Sequence, residues 1–268
     1  IQWKPESTGT GRFGNWLENL VDWNLSRSRY WGTPLPIWRT EDGSEEICIG
    51  SLAQLKEEIE KAQASGALSD LQTKGNTAFL QALAAGEADL HRPFVDEVFL
   101  LSVTGNVLTR ELDLIDVWFD SGAMPFAQWH YPFENQYIFK QSYPADFISE
   151  GVDQTRGWFF TLHAISSMVE DSVAFKNVVS TGLVLDKNGN KMSKRLGNAI
   201  DPFETLKSYG ADPTRWYMIT NAQPWDNLKF DLAGITEVRN KFFGTLTNTY
   251  NFFAMYANLD GFVPAGIK

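Results

Sequence analysis

Apolar residues occur along the chain in short stretches, and their spacing changes between that of strands and that of helices. Val178–Leu185 is a short, continuous apolar stretch, which is typical of a buried strand. Earlier in the chain, Ala145–Ser149 predicts a short strand, and Gln154–Val169, apolar nearly all round, predicts a buried helix. A strand, a helix and a strand at this spacing form a βαβ unit, so the pattern favours a parallel sheet and the α/β fold class.

The first forty residues show a weaker pattern. The segment up to Arg12 is polar and rich in Gly, Ser and Thr, as in a connection, and Gly14–Trp23 predicts a short amphipathic helix. Asp22–Trp38 is predicted to be extended and to end in a turn broken by Gly and Pro. Between Arg39 and His91 the chain is richer in Glu, Ala, Lys and Gln, which indicates an insertion rather than a core. Its predicted helices lie near Leu52–Ala64 and Thr77–Ala85.

The turn residues 104–106 separate Phe94–Val103 from Val107–Leu114, and this arrangement predicts a β-hairpin. A helix is predicted to follow, with Asp120 or Ser121 as its N-cap. Further helices are predicted from about Pro202 and Pro213. From Gly234 onward, apolar residues at helical spacing predict a longer helix, with Phe242, Leu246, Tyr250 and Phe253 on it.

Composition and charge exclude several classes of protein. The formal net charge of −10 argues against a general nucleic-acid coat, although a local basic patch can still bind RNA. The one cysteine, Cys48, allows neither a disulfide within the chain nor a cysteine-based zinc site. His91, His130 and His163 show no metal-ligand spacing, so no bound metal is predicted. There is no signal peptide and no membrane-spanning apolar run, so we expect a cytoplasmic protein with no membrane partner.

The run V-L-D-K-N-G-N-K-M-S-K-R-L-G-N, Val184–Asn198, places three cations on a loop just beyond a predicted strand. Such a cluster is most often a solvated surface. The alternative is that Lys191, Lys194 and Arg195 meet an anion, because ligands of an open parallel sheet bind beyond the carboxyl ends of its strands. Lysine suits a departing phosphate, since it is a compact point charge on a flexible stem.

A second loop, within F-I-S-E-G-V-D-Q-T-R-G-W-F-F, follows the strand at Ala145–Ser149. Its polar residues, Glu150, Asp153 and Gln154, could hold ribose hydroxyls or a substrate amine, and Gly151 permits a close backbone approach. Alone, Asp153 reads as a helix cap. The βαβ interpretation places this loop beside the cationic loop, and the two together predict a nucleotide site.

Trp158 lies one helical turn inside the second loop, and Trp118 precedes the helix predicted at Asp120. Either tryptophan alone is more often a core residue than a pocket residue. Near a polar sheet edge, the two could instead form an apolar slot for a small side chain.

Four motifs resemble those of the class I aminoacyl-tRNA synthetases, and they occur along the chain in the order expected for that family. K-M-S-K-R is similar to their K-M-S-K-S signature, and S-R-S-R-Y-W-G-T-P-L-P resembles the segment by which the isoleucine, leucine and valine enzymes return to the catalytic core after the editing domain. E-G-V-D-Q-T-R-G-W-F and D-V-W-F-D-S-G-A-M-P-F-A-Q-W-H resemble the isoleucine branch. The four motifs span 22–202.

The resemblance implies that isoleucine and ATP, with its Mg²⁺, form isoleucyl-adenylate and that the acyl group then passes to tRNA(Ile). Lys191 and Lys194 would be catalytic and would bind ATP with Met192 and Ser193, Lys194 being the stronger candidate for direct contact. The isoleucyl-adenylate would be bound by two groups of residues. Its ribose and its amine would be contacted by Glu150, Gly151, Asp153 and Gln154. Its isoleucine side chain would lie between Trp118 and Trp158. A monomer without bound zinc is expected.

The resemblance also divides the chain into four segments. Residues 1–38 would return to the catalytic core, and 39–115 would form a connective insertion with helices and a hairpin. Residues 116–232 would form the second half of a Rossmann-like catalytic domain with the KMSKR loop, and 233–268 would begin a helical anticodon-binding domain.

The sequence departs from the family in three ways. It contains no H-I-G-H, the signature that binds ATP from the first βα turn, and no editing domain. Arg195 stands where the family has a final Ser, which adds charge. We therefore interpret the chain, which begins at Ile1, as a fragment with half of an active site, expected to be inactive alone.

Three alternatives stay open at this point. The first is a valine or leucine enzyme, against which D-Q-T-R-G-W-F argues. The second is a synthetase-like module without catalysis that binds tRNA or a protein. The third is a nucleotidyltransferase of related fold, which would lack the segment at 26–36.

Overall fold

The computed structural model describes residues 1–264 and Gly266. These residues form two compact units, each assembled from separate stretches of the chain. The first unit comprises Ile1–Glu18, Ser142–Arg156 and the chain from Val173 onward, and the second unit comprises Asn19–Gln141 and Gly157–Ser172.

The regular elements are numbered in chain order. The strands are β1 (Gln2–Lys4), β2 (Ser26–Arg27), β3 (Ile37–Arg39), β4 (Glu46–Cys48), β5 (Phe99–Leu101), β6 (Val107–Arg110), β7 (Leu114–Ile115), β8 (Ala145–Gly151), β9 (Phe175–Thr181), β10 (Val184–Leu185) and β11 (Leu228–Lys229). The helices are α1 (Gly14–Glu18), α2 (Leu52–Ser65), α3 (Asp70–Ala85), α4 (Val117–Gly122), α5 (Met124–Ala127), α6 (Gln136–Ser142), α7 (Trp158–Glu170), α8 (Pro202–Tyr209), α9 (Ala211–Thr220), α10 (Leu232–Val238) and α11 (Gly244–Leu259).

The first unit contains a three-stranded parallel sheet in the order β1-β9-β8. Phe175 and Val178 of the middle strand β9 are fully buried, as their apolar stretch predicts. β8 and β9 are neighbours and are joined along the chain through α7, so the predicted strand–helix–strand order and the α/β class are confirmed. The prediction of a connection up to Arg12 is wrong for Gln2–Lys4, because pairing with β9 makes that polar segment a strand.

The predicted strand Val178–Leu185 is two strands, β9 and β10, separated by Gly182 and Leu183. The chain leaves the parallel sheet at Gly182, whose N–H donates to the carbonyl of Pro224 (3.0 Å). The N–H of Leu183 donates to the Asn227 side chain (2.8 Å), and β10 then pairs with β11. A separate short sheet therefore carries the chain into the cationic loop.

Replacing Gly182 with Ala is expected to disrupt this exit. An added Cβ would lie 2.2 Å from the carbonyl oxygen of Asp226 and 2.8 Å from the amide nitrogen of Asn227, both backbone atoms. Overpacking of this kind costs roughly 1–3 kcal/mol. Hydrogen exchange of β10 and β11 in the intact protein should become faster in Gly182→Ala. Gly11→Ala is the control, since nothing lies within 4 Å of its added Cβ; equal exchange in both variants would contradict this account.

Two predicted helix bounds in the chain's first and middle parts are also wrong. Gly14–Trp23 is helical only to Glu18. Trp23 lies outside regular secondary structure, and its indole N–H donates to Asp116 (3.0 Å). The helix predicted from Gln154 begins at Trp158. The preceding residue, Gly157, has φ −138° and ψ −116°, which are not helical angles, and a 3₁₀ turn precedes it.

The second unit contains a four-stranded antiparallel sheet in the order β4-β3-β6-β5, whose strand β3 begins two residues before the predicted insertion at Arg39. Its strands and helices share one apolar core, in which Trp38, Ile59 and Leu100 are almost completely buried. The predicted hairpin is confirmed as β5 and β6, with a turn closed by the N–H of Ser102 on Asn106 (2.8 Å). Its predicted first residues form a 3₁₀ turn instead, after Pro93, whose ring restricts φ.

The two helices of the insertion are confirmed, and caps explain their bounds. Ser51 accepts the N–H of Gln54 at the start of α2. Ser69 and Gln72 form a capping box, which starts α3 seven residues before the predicted helix at Thr77. Both helices end on glycines in the left-handed conformation, Gly66 and Gly86.

The helix predicted from Gly234 is confirmed as α10 and α11, with one π turn at Arg239–Phe243 between them. Ala265, Ile267 and Lys268, the last residues of the predicted segment 233–268, lie outside the described residues. Within the described part of the chain, no helix is both long and apolar enough to cross a membrane.

Candidate active site

The end of β8 and the turn that follows it carry the predicted acidic group. β8 and β9 are in register to their ends, so Glu150 lies opposite Ser180 and Gly151 lies opposite Thr181. Glu150 and Asp153 are both exposed, and the Asp153 carboxylate accepts the amide of Gln154 (3.2 Å).

Gly151 has a packing role in this turn. An added Cβ there would lie 2.5 Å from Asp153 Oδ1, so only glycine leaves that carboxylate its position. The buried Thr155 anchors the turn from behind. Its hydroxyl donates to the carbonyl of Val152 (2.8 Å) and accepts the Nε–H of Arg12 (2.8 Å). The side chains of the turn are thus presented from a fixed backbone.

The cationic loop is held against the core of the first unit. The backbone of Lys191 pairs with Leu185 in an isolated β-bridge. Met192 packs on an apolar cluster formed by Tyr217, Leu228, Phe230 and Ile235. Ser193 precedes a 3₁₀ turn at Lys194–Leu196, and the side chains of Lys191, Lys194 and Arg195 are exposed. The loop therefore packs its partly buried methionine on the core and presents its cations to solvent.

The two predicted tryptophans lie in the second unit on two helices that pack closely. The indole N–H of Trp158, in α7, donates to the carbonyl of Ser121 in α4 (3.1 Å). A Cβ on Gly122 would lie 2.9 Å from atoms of both Thr161 and Ile165. Trp118, also in α4, is 43% exposed, which leaves its ring available to a ligand.

Asp116 orients the helix that carries Trp118. It is the N-cap of α4 and accepts the N–H of Trp118 (3.3 Å), so the prediction of Asp120 or Ser121 as the cap is wrong. The buried Asp116 carboxylate also accepts the Arg27 guanidinium (2.5 Å) and the Trp23 indole (3.0 Å). The ion pair with Arg27 explains why Asp116, rather than Asp120, is the N-cap of α4. It also brings the S-R-S-R-Y-W-G motif, which contains Arg27, into contact with the D-V-W-F-D motif, which begins at Asp116.

The structure thus brings the predicted residues together in two groups, one in each unit. Glu150–Gln154 and the exit of β9 toward the lysines share one edge of the parallel sheet, and Trp118 and Trp158 share one helix pair. Sequence reasoning missed Asp186, Asn198, Arg27 and Asp116, which support these groups. Each of the four residues lies inside a quoted motif. Its hydrogen-bond partner, however, is either distant in sequence or brought near by a turn, so the motif alone does not reveal the contact. Among residues 1–264 and 266, no three His, Cys, Asp or Glu side chains are placed to hold a metal ion.

Polar and cationic loops beyond the carboxyl ends of parallel strands are typical of α/β proteins that bind nucleotides. In fold, the chain is similar to the LeuRS–tRNA–LeuAMS ternary complex of Agrobacterium radiobacter K84. The TM-score is 0.56 at 19% identity, over 85% of this chain and 29% of that one.

The family model for "tRNA synthetases class I (I, L, M and V)" matches residues 1–231, and the chain belongs to this family. This confirms the resemblance drawn from the four motifs. Among curated relatives, the isoleucine–tRNA ligase of Cytophaga hutchinsonii is 71% identical over 99% of this chain, and that of Porphyromonas gingivalis is 69% identical over 98%. The chain spans 23% of the length of each of these relatives.

Proposed function

We propose that this chain supplies part of the isoleucine-activating site of an isoleucine–tRNA ligase. The observation that carries the proposal is the identity of about seven residues in ten, across nearly the whole chain, to ligases named for isoleucine. In the reaction, a carboxylate oxygen of isoleucine attacks the α-phosphorus of ATP. The bond from that phosphorus to the bridging oxygen breaks, and pyrophosphate leaves with its Mg²⁺. A hydroxyl of the terminal ribose of tRNA(Ile) then attacks the acyl carbon of the adenylate, an ester bond forms, and AMP leaves.

Lys191 and Lys194 would act on the departing pyrophosphate. Both side chains are exposed on a loop whose backbone is anchored through Met192, so they can move to the phosphates without loss of the anchor. Charge develops on the leaving group as the bond breaks, and cations placed in advance stabilise it more in the transition state than in the ground state. Met192 and Ser193 would set the ATP-facing backbone of this loop.

Glu150, Gly151, Asp153 and Gln154 would bind the ribose hydroxyls and the amine of the adenylate. The exposed carboxylates accept hydrogen bonds from these groups, and the glycine keeps the Asp153 carboxylate in place. Positioning of this kind lowers the barrier without covalent participation by the protein.

Trp118 and Trp158 would flank the isoleucine side chain with two indole faces. One methylene separates isoleucine from valine, and in an apolar pocket that difference is worth only about 1–3 kcal/mol; isoleucine enzymes are the established illustration of this limit. Selection beyond that factor therefore needs a second, hydrolytic site elsewhere in the full-length enzyme.

The proposal is tested by amino-acid-dependent ATP–pyrophosphate exchange in the intact polypeptide that contains this sequence. Isoleucine should support the highest kcat/KM, followed by valine, with leucine and methionine far behind. Exchange that prefers another amino acid would contradict the proposal. If tRNA binds but no amino acid supports exchange, the alternative of a synthetase-like binding module is favoured. The chain by itself, without H-I-G-H, is expected to show no exchange.

Replacing Trp158 with Ala is expected to raise KM for isoleucine by roughly 10- to 100-fold, since one face of the pocket is lost. Trp158→Phe keeps an aromatic face and should lose much less. Trp31→Ala is a matched control in the same unit, because that ring is 72% exposed and stacks on His91. Unchanged KM in Trp158→Ala, measured by pyrophosphate exchange, would remove this residue from the pocket.

The remaining assignments are predictions for the full-length protein. They are the four-segment division at residues 38, 115 and 232, the monomeric state and the cytoplasmic location.

A further inference from the structure

The cationic loop is closed on itself by two side chains, Asp186 and Asn198, at its two ends. We propose that they are positioning residues, whose Asp186–Asn198 bridge holds the backbone from which Lys191 and Lys194 project. The inference rests on the proposed function, because it concerns the lysines that would meet pyrophosphate.

Asp186 supplies the acceptors of the bridge. Its residue is 8% exposed, and Oδ1 accepts the backbone N–H of Asn190 (2.8 Å) and of Asn188 (2.9 Å). Oδ2 accepts the side-chain amide of Asn198 (2.9 Å), twelve residues further along the chain. The two bonds from Asn188 and Asn190 are enough to form the turn at Asp186. The third bond, from Asn198, instead closes the loop between residues 186 and 198. The N–H of Asn190 and the Asn198 amide lower the pKa of Asp186 below its ordinary value, since both bonds favour the carboxylate form.

Asn198 supplies both a donor and an acceptor to the loop itself. Its Nδ2 donates to the carbonyl of Lys191 (3.2 Å) as well as to Asp186, and its Oδ1 accepts the N–H of Ser193 (2.9 Å). The two contacted backbone groups lie on either side of Met192, which packs on the apolar cluster. Asn makes all three bonds because its amide both donates and accepts. Asp at this position would accept but not donate, and Ala would do neither.

The loop backbone is therefore fixed at the carbonyl of Lys191, the side chain of Met192 and the N–H of Ser193. Lys191 and Lys194 project from the two ends of this fixed segment, and both side chains stay exposed. A loop whose backbone is held by internal hydrogen bonds loses little conformational entropy when its lysine side chains bind a phosphate. The bridge therefore lowers the cost of each binding event.

The decisive experiment compares Asp186→Asn, Asn198→Asp and the double exchange in the intact protein. In Asp186→Asn two side-chain amide groups face each other as donors, and in Asn198→Asp two carboxylates face each other as acceptors. Either change removes the bond between the two side chains. Each single variant should lower kcat for isoleucine-dependent pyrophosphate exchange by roughly tenfold, with KM for isoleucine unchanged. In the double variant the bond between positions 186 and 198 re-forms with donor and acceptor exchanged, while the bond to the Lys191 carbonyl stays lost, so kcat should exceed that of Asn198→Asp. Losses that multiply instead would overturn the proposal.

A second readout reports the loop without catalysis. Trypsin cleaves after Lys191, Lys194 and Arg195, so the cleavage rate, followed by mass spectrometry, measures how often the loop opens. Both single variants should be cut severalfold faster than the wild type, and the double variant should be cut more slowly than Asn198→Asp. Unchanged cleavage in the single variants overturns the proposal. Faster cleavage with unchanged exchange would show that the bridge closes the loop without positioning the lysines for the reaction, which also overturns the proposal. The proposed function itself would then still rest on Lys194→Ala, which separates the two claims.

Two controls guard against a general loss of folding. Asp42→Asn makes the same substitution at a comparable turn in the second unit, where Asp42 accepts from Thr40 (2.6 Å) and Ser44 (2.7 and 3.0 Å). It should alter neither exchange nor loop cleavage. Asn198→Ala removes the bridge but leaves the two turn bonds of Asp186, so it tests the proposal even if a charged variant fails to fold.

Discussion

Replacing Lys194 with Ala should lower kcat/KM for isoleucine-dependent pyrophosphate exchange by about one to two orders of magnitude. A charge-assisted hydrogen bond that strengthens in the transition state is worth roughly 1.5–3 kcal/mol, and each 1.36 kcal/mol corresponds to about tenfold in rate. The Lys194 side chain is exposed and stands at the start of a 3₁₀ turn, so its removal leaves the fold intact. The loss should fall on the chemical step rather than on KM for isoleucine.

Lys187→Ala is the matched control for Lys194. It removes the same charge from the same loop, and Lys187 is likewise exposed, but it lies in the turn capped by Asp186 rather than after Met192. If only the summed positive field matters, both variants should lose equal activity, and the assignment of Lys194 to the leaving pyrophosphate would be wrong. A contact role predicts a loss confined to Lys194→Ala.

Replacing Arg110 with Met should destabilise the four-stranded sheet of the second unit by about 3–5 kcal/mol, the usual cost of removing one partner of a buried ion pair. The Arg110 side chain is 1% exposed and forms an ion pair with Asp96. Its guanidinium also donates to the carbonyls of Leu35, Glu111 and Asp113. Methionine fills the volume but leaves these acceptors without that donor. Hydrogen exchange of β3, β5 and β6 should become roughly a hundredfold faster or more.

Arg39→Met provides the comparison on a neighbouring strand. Arg39 pairs with Glu46 (3.1 Å) and Glu111 (3.5 Å), but its side chain is 42% exposed. Exposed ion pairs contribute only about 0–1 kcal/mol, so exchange in this variant should change severalfold at most. Equal effects of the two substitutions would show that Arg110 is not the polar centre of this sheet.

Local patterns made much of the fold predictable. The apolar runs of β8, α7 and β9 and the hairpin at β5 and β6 follow from residues near one another in sequence. Helices α2 and α3 likewise depend on caps and glycines within the same segments. Their positions could be predicted because the interactions that form them are short-range.

Long-range partners account for the errors. β1 is polar and is a strand only because it pairs with β9, about 175 residues later, a relation that no local pattern contains. Asp116 and Asp120 are equally plausible caps in the sequence, and the choice is made by Arg27, 89 residues earlier. The exit at Gly182 depends in the same way on the backbone of Asp226.

The candidate site divides along the same line. Lys191, Lys194, Glu150 and Asp153 were identified because their motifs resemble a family, and their side chains are exposed at the ends of elements. The supporting residues were not identified from the sequence. Asp186 and Asn198 were missed even though both lie in the fifteen-residue run Val184–Asn198 that contains the lysines. Spacing alone does not show that Asn198 folds back on Asp186, since that bond exists only once the loop has closed.

The central claim, that this chain contributes to recognition of isoleucyl-adenylate, is tested most directly by calorimetry. The intact polypeptide would be titrated with non-hydrolysable isoleucyl-, valyl- and leucyl-adenylate analogues, in the wild type and in Trp158→Ala. The account predicts that the isoleucyl analogue binds most tightly, that the valyl analogue is weaker by about the 1–3 kcal/mol of one methylene, and that Trp158→Ala abolishes the ranking. Tighter binding of the valyl or leucyl analogue, or no binding of any of the three, would contradict it.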